Sequence, residues 1–303
     1  MADYTTIDDV DLARVSTDYG LHNPSIRVLP GGAANSSFTV GTDTDTYVLT
    51  VLDNHDPVTA HRLVQVTTAL FEHGLPTAEI VPARDGRTVT EANARPAVLK
   101  RWIEGTVHDS LPVPLLGDAG ATLASLHRAP VDLPSLPRHT RRLSEQQEAE
   151  ISRFTDHEFA DWLRTRLDRL RGDHGTRPDT ITHGDLFADN LIERPDHTLA
   201  VIDWETASLD DPLLDLGMAV VGLARLDDHI DIERTERLVE GYHAVLPLTE
   251  DDRAILPRLA EYAALVIAFH RYYRHNVRFP NPARAQSHRP MMRLVDNMRA
   301  IRV

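Results

Sequence analysis

The segment from Ile181 to Asn190, ITHGDLFADN, and the run LAVIDWE from Leu199 to Glu205 decide how this chain is read. A histidine, two aspartates and an asparagine crowd into ten residues directly after a short β-branched run, and the second run ends in further acids, Asp203 and Glu205. His183, Asp185 and Asn190 form the pattern H-x-D-x-x-x-x-N, and Asp203 lies 18 residues beyond Asp185. Phosphoryl transfer needs positioning, a metal and a place for the acceptor's proton, with little covalent help from protein. A loop carboxylate can accept a hydrogen bond from an attacking hydroxyl. An amide in the same loop can bind magnesium without adding charge, and a carboxylate at a strand end can bridge that metal to phosphates. The plain alternative is a capped loop with Asp185 or Asp189 as turn residues. The three-residue pattern alone does not separate the two readings; HGDLFADN, then IDWE, then DPLLDLG, favours a metal–phosphate site.

With 303 residues, of which 42% are apolar, the chain can build one large domain or two lobes with a cleft between them. A formal charge of −14 argues against nucleic acid or anionic membrane as partners, because both need basic surface. There is no cysteine, which excludes disulfides, thiolate zinc sites and cysteine nucleophiles. The opening MADYTTIDDVDLARV has no basic region followed by an apolar stretch, so it does not read as a signal peptide. No run approaches the roughly 18 apolar residues of a membrane-spanning helix. The expectation is a cytoplasmic protein, monomeric or homodimeric. Lys100 is the only lysine, every other strongly basic residue being arginine; a GC-rich genome is the simplest explanation.

Outward from the motif, TIDDVDLARVSTDYG reads as a short amphipathic helix stopped by Gly20. SIRVLP, SSFTV and TYVLTVL read as three strands of an antiparallel meander, separated by turn-like GGAAN and GTDTD. A helix follows in DPVTAHRLVQVTTALFEHG, with Pro57 near its start and Gly74 at its end. Two further strands, AEIVPA and PAVLKRWI, flank an RDGR turn. Beyond LLGDAGATLASLHRA and a proline-rich stretch, most segments read as helices, apart from TITHGD and LAVIDW, which suggest a small hairpin-like insert. The expected architecture is α+β and bilobal: a β-rich lobe over residues 1–103 and a mostly helical lobe over 104–303.

HGDLFADN…VIDWETASLDDPLLDLG resembles the catalytic and metal-binding motifs of the aminoglycoside phosphotransferase/choline kinase superfamily, whose fold is protein-kinase-like. The resemblance covers nearly the whole chain. It implies ATP and Mg2+ as cofactors, Asp185 as catalytic base, Asn190 and Asp203 as magnesium ligands, and His183 as a structural residue of the loop. Asp211 and Asp215 fall in the acidic segment that supports it. In LPGGAANSSFTV, the implied nucleotide-covering turn, Gly31 and Gly32 permit close backbone approach to phosphate, and Asn35, Ser36 and Ser37 offer small polar donors.

Protein kinases place a phosphate-pairing lysine on the third strand. Here Val48 and Thr50 share one strand face, both are expected at the nucleotide, and Thr50 stands where that lysine belongs. Lys100, in AVLKRW before the interlobe hinge, is read as a solvated strand lysine, with a phosphate role the other possibility. The helix from Pro57 has no glutamate before Glu72 to partner a lysine. YVLT, HxDLFxDN and EHGLP are similar to the type II homoserine kinase branch; WETAS after Asp203 is closer to the general superfamily pattern. Arg271, Arg274 and Arg278, at i, i+3 and i+7, form either a clamp for a substrate carboxylate or a solvated basic helix face. The leading expectation is a kinase for a small-molecule hydroxyl, homoserine-like amino alcohols first. The alternatives are an antibiotic-modifying O-phosphotransferase and a non-catalytic nucleotide-binding pseudokinase, the latter motivated by the missing lysine.

Overall fold

The computed structural model describes residues 4–30, 35–130, 133, 135–173, 175 and 177–298. A 3-10 turn at Ile7–Asp9 precedes α1 (Leu12–Tyr19), whose first turn is capped by the Asp11 carboxylate accepting from the Arg14 amide. β1 (Ser25–Val28), β2 (Ser36–Gly41) and β3 (Thr46–Val51) form the antiparallel meander. α2 (Pro57–Glu72) starts from an Asp56 cap with Pro57 in its first turn. β4 (Ile80–Val81), β5 (Thr90–Ala92) and β6 (Arg95–Arg101) complete a six-stranded sheet in the order β1-β2-β3-β6-β4, with β5 on β6.

The register of β3 on β6 matters for everything that follows. Val48 lies opposite Lys100 and Thr50 opposite Val98, and directly opposite residues share a face. The other face, carrying Tyr47, Leu49, Val51, Ala97 and Leu99, closes a small core against Val15 and Tyr19 of α1. Val98, Ile80 and Leu52 instead join the large core that continues through α2 into the rest of the chain. Val48, Thr50 and Lys100 therefore look toward the helical part of the molecule.

That part comprises β7 (Thr106–Val107), α3 (Leu116–Arg128), α4 (Glu145–Ile151), α5 (His157–Arg169), β8 (Thr180–Thr182), β9 (Leu191–Glu193), β10 (Leu199–Val201) and β11 (Ser208–Asp210). There follow α6 (Pro212–Leu223), the hairpin β12 (Arg225–Leu226) and β13 (His229–Ile230), α7 (Ile232–Val245), α8 (Glu250–Tyr272) and α9 (Arg289–Asn297). α6 is apolar almost all round and is buried accordingly, packed along α8. α3 and α7 touch backbone to backbone: a Cβ added at Gly241 would stand 1.9 Å from the Gly117 carbonyl oxygen. No helix among the described residues is long and apolar enough to cross a membrane.

Two expectations need correction. The strands that bracket the motif do not pair with each other as one hairpin. β9 pairs with β10, β8 pairs with β11, and β7 joins β9, so a short inner hairpin is nested inside an outer strand pair. Runs of three residues disclose strand character but carry too little pattern to choose a partner. The arginines at 271, 274 and 278 do not share one α-helical face either. α8 ends at Tyr272, and Tyr273–Arg278 winds as a π-helix, whose i→i+5 bonding changes the angular step between side chains.

Candidate active site

The loop between β8 and β9 is held from below by one carboxylate. Asp215, in the first turn of α6 and 2% exposed, accepts the His183 N–H through Oδ2 and the Gly184 N–H through Oδ1, both at 2.7 Å. His127 of α3 donates its Nε2–H to the same Oδ2 at 3.1 Å, and its Nδ1 meets the Tyr242 hydroxyl at 2.8 Å. Burial alone would raise the Asp215 pKa. The hydrogen bond from His127, the two neighbouring imidazoles and the Gly184 amide more than offset it and hold Asp215 below the usual carboxylate range. Gly184 is the residue that lets the loop turn here. Its φ is +77°, and a Cβ would meet Arg141 Nε at 2.8 Å. Replacing Asp215 with Ala strips the partner from two backbone amides and a buried imidazole. Breaking such a buried charged set costs about 3–5 kcal/mol, so urea unfolding of Asp215→Ala should show a loss of that size. A loss below about 1 kcal/mol would mean that the loop is held otherwise.

His183 is fully buried and acts as a strut. The Asp185 amide donates to its Nδ1 at 3.2 Å, so its Nε2 carries the proton and donates to the Ile202 carbonyl at 3.0 Å. Its ring also packs on Trp204, with centroids 4.9 Å apart. Asp185 is half-buried, and no described residue hydrogen-bonds its carboxylate. Burial pushes its pKa up, Arg141 and His183 oppose, and Asp203 and Asp189 add to the rise. Asn190 donates its amide N–H to the Asp185 carbonyl at 2.8 Å, which leaves its side-chain oxygen available. The Ile202 amide donates to the Asn190 carbonyl at 3.0 Å, tying the end of β10 to the loop. Asp203 then takes a left-handed conformation, φ 68° and ψ 70°, which aspartate tolerates better than most residues. The nested strand pairs thus bring Asp185, Asn190 and Asp203 to one place, and the last two offer the oxygen-only donor set that magnesium takes.

Across from these acids stands the β3–β6 face. Lys100 projects from β6 beside Val48, half-buried rather than solvated. Burial lowers its pKa, while Asp203 and Glu205 work to keep it charged. Glu205 is pushed up to about 7, first by burial and then by Asp203, with Lys100 opposing. The Asn35 amide donates to Glu205, and His55 Nε2 lies 3.9 Å from it. Ser36 donates its hydroxyl to Asp53 at 2.6 Å, and the Ser37 carbonyl accepts the Leu29 amide. Gly31 and Gly32 lie outside the described residues.

Arg271 lies close enough to Asp185 for the two charges to interact, with Arg225 nearby. Burial, then Arg225, lowers its pKa, and Asp185 opposes. No described residue hydrogen-bonds or ion-pairs with Arg271. Arg141 flanks Gly184 and Asp185, and its Nε is buried without a partner. Arg274 meets the Tyr4 hydroxyl at 3.5 Å and Arg278 lies over the Phe279 ring, 5.1 Å from its centroid. Both line a cavity of about 1130 Å³ shared with Tyr4, Asn35, Ser36 and Ser37, and the charge of Arg274 also reaches Glu205.

Residues 25–275 match the family model described as "Phosphotransferase enzyme family". The chain belongs to this family. It is 30% identical over 244 residues to the homoserine kinase of Methylobacillus flagellatus, covering 78% of this chain and 76% of that one. With the homoserine kinase of Caulobacter sp. it shares 28% identity over 280 residues, 88% and 86% of the two chains. Among solved structures, the microcompartment-associated aminopropanol kinase superposes with a TM-score of 0.63 at 21% identity, covering 94% of each chain. Amicoumacin kinase, in complex with AMP-PNP and Ca2+, reaches a TM-score of 0.71 at 13% identity over 94% and 92% of the chains. The protein is thus an ATP-using phosphotransferase with an alcohol group as acceptor and a small molecule as substrate.

Several residues around the phosphotransferase site escape a reading of the sequence. Glu205 stood inside the quoted IDWE, but nothing in the string said that it would face Lys100. His127 and Tyr242 lie far from the motif in sequence and reach Asp215 only through α3–α7 packing. Arg141, in a basic run without periodicity, gave no signal at all. A second cluster, His139, Asp179 and Asp210, brings its ligand atoms within 4.8 Å of one another. Arg138 and Arg142 already bind its two acids, at 2.6 and 3.0 Å.

Proposed function

We propose that this phosphotransferase uses Mg2+ and ATP to phosphorylate the hydroxyl of a small carboxylate-bearing amino alcohol of the homoserine type. Residues 1–103 would serve as the nucleotide-binding lobe and 104–303 as the catalytic and substrate-binding lobe. Asp185 accepts the acceptor's hydroxyl proton, its carboxylate being bonded to no described residue. Asn190 and Asp203 hold the metal, which when bound neutralises phosphate charge as a Lewis acid. Val48 and Thr50 lie against the nucleotide, with Asn35, Ser36 and Ser37 over its phosphates.

The observation that carries the acceptor class is the pair Arg141 and Arg271: two guanidiniums beside Asp185 with no anion of their own. A guanidinium fork suits a carboxylate, and a bound carboxylate would restore their charge balance. Arg274 and Arg278, farther along the π-turn, would extend the basic approach to this site. In ARLDDHIDIERTE, on which the antibiotic reading drew, Asp228 pairs with Arg293 at 2.6 Å and Asp231 caps α7, while Asp227, Glu233 and Glu236 are exposed. The non-catalytic reading loses its motive once Lys100 is seen to face the acids. Arg271→Ala and Arg141→Ala should each raise KM for homoserine about 10- to 150-fold, the worth of a hydrogen bond to a charged group. KM for ATP and for an amino alcohol lacking the carboxylate should hold. An equal rise for both acceptors would refute the assignment.

A further inference from the structure

The chain lacks a lysine at the usual third-strand position, yet its single lysine stands beside that position in space. Lys100 is directly across from Val48 on the face that also carries Thr50. Diagonal neighbours on such a face lie about 7–8 Å apart, within reach of a lysine side chain. On its other side Lys100 faces Ile80 of β4, which is buried in the large core, so the stem is walled by apolar side chains on both flanks. Only the ammonium end points onward, toward Asp203 and Glu205. Among the described residues it has no hydrogen bond and no ion pair within 4.0 Å.

The second half of the arrangement concerns the missing glutamate. α2 carries no acid before Glu72, which lies exposed at its far end. Glu205, two residues past Asp203, stands instead on the far wall of the cleft, fixed by the Asn35 amide and flanked by His55. The acid whose charge reaches the lysine thus comes from the segment after β10, and the lysine from the strand before the hinge. A half-buried ammonium without a contact partner, placed between apolar neighbours and facing metal-ligand carboxylates, is poorly explained as a surface charge. It is well explained as a cation awaiting an anion that enters between it and the acids.

We propose that Lys100, reaching from β6 across the Val48–Thr50 face, holds the phosphates of the bound nucleotide, with Glu205 an acid across the cleft whose charge draws the ammonium toward them. This rests on the ATP-dependent reading above and is independent of which acceptor is used. Arginine should replace it only in part, because a planar fork presents its donors differently from a compact ammonium.

Because Lys100 is the only lysine, amine chemistry reports on it directly. Reductive ¹³C-methylation of the wild-type protein yields one lysine signal beside the N-terminus. Mg-ATP should shift that signal and slow the methylation at least about tenfold, whereas homoserine alone should do neither. In parallel, Lys100→Ala should weaken Mg-ATP binding in calorimetry by about 10- to 150-fold, with KM for homoserine changed far less. Lys100→Arg should recover part of the loss. If Mg-ATP binds the wild type yet leaves the lysine signal and its reactivity untouched, Lys100 does not hold the phosphates; the labelling arm decides this even if Lys100→Ala fails to fold. Mg-ATP that protects Lys100 while no hydroxy amino acid is phosphorylated would support the lysine assignment and sink the acceptor reading instead.

Discussion

Asp185→Asn is expected to lower kcat about 10²- to 10⁴-fold, the range a positioned general base contributes. Mg-ATP affinity should stay within about threefold, a difference under 1 kcal/mol. The two outcomes separate because of where Asp185 sits. Its backbone anchors the loop, through the Asn190 side chain on its carbonyl and its own amide on His183. Its carboxylate is bonded to no described residue. Asparagine preserves the backbone bonds and the shape and removes only the proton-accepting oxygen. Steady-state kinetics with homoserine, alongside calorimetric titration of Mg-ATP, measures both quantities. A variant that kept a tenth or more of wild-type kcat would remove Asp185 from the base role, since about 1.4 kcal/mol is too little for that task.

What the sequence disclosed and what it withheld divide along one physical line. Local pattern placed the loop, the strands and the helix ends: Gly20 closing α1, Pro57 opening α2 and β1 to β3 as a meander are all nearest-neighbour features. The acidic constellation was legible for the same reason, since its members sit on short strands and loops at fixed spacing. Partners contributed by distant strands were not. Lys100 reads as an ordinary strand lysine until the β3–β6 register sets it opposite Val48, and no window of sequence contains both residues. Pairing of the motif's own strands was lost the same way, because three-residue strands leave register to the surrounding packing.

The arginines show the opposite failure, where local periodicity said too much. An α-helical step aligned Arg271, Arg274 and Arg278, but the π-turn after Tyr272 parts them. Arg271 is left near Asp185, and Arg274 and Arg278 line the cavity that Asn35, Ser36 and Ser37 share. Arg141, unmarked in sequence, takes the second place beside the catalytic loop. π-turns of this kind concentrate at functional sites, where re-aiming a side chain outweighs the poorer backbone bonding.

Asp203→Asn should cost roughly 100-fold or more in kcat/KM and should abolish the dependence of ATP binding on magnesium. The magnitude follows from the several kcal/mol that a metal supplies in neutralising phosphate charge. Asparagine is the informative replacement. Residue 203 sits at φ 68°, a conformation that asparagine shares with aspartate, whereas alanine there would add about 1–2 kcal/mol of backbone strain. The substitution also predicts what happens without ligand. Asp203 pushes both Asp185 and Glu205 toward their protonated forms, so it repels its neighbours when no cation lies between them. Removing its charge relieves that repulsion, although it also deprives Lys100 of one of its two attractive carboxylates. The thermal midpoint of the ligand-free protein should therefore change little, while the upward shift produced by Mg-ATP in the wild type should vanish. A large drop in the ligand-free midpoint would mark Asp203 as a structural residue of the β10 turn. Retention of the Mg-ATP shift would place the metal elsewhere.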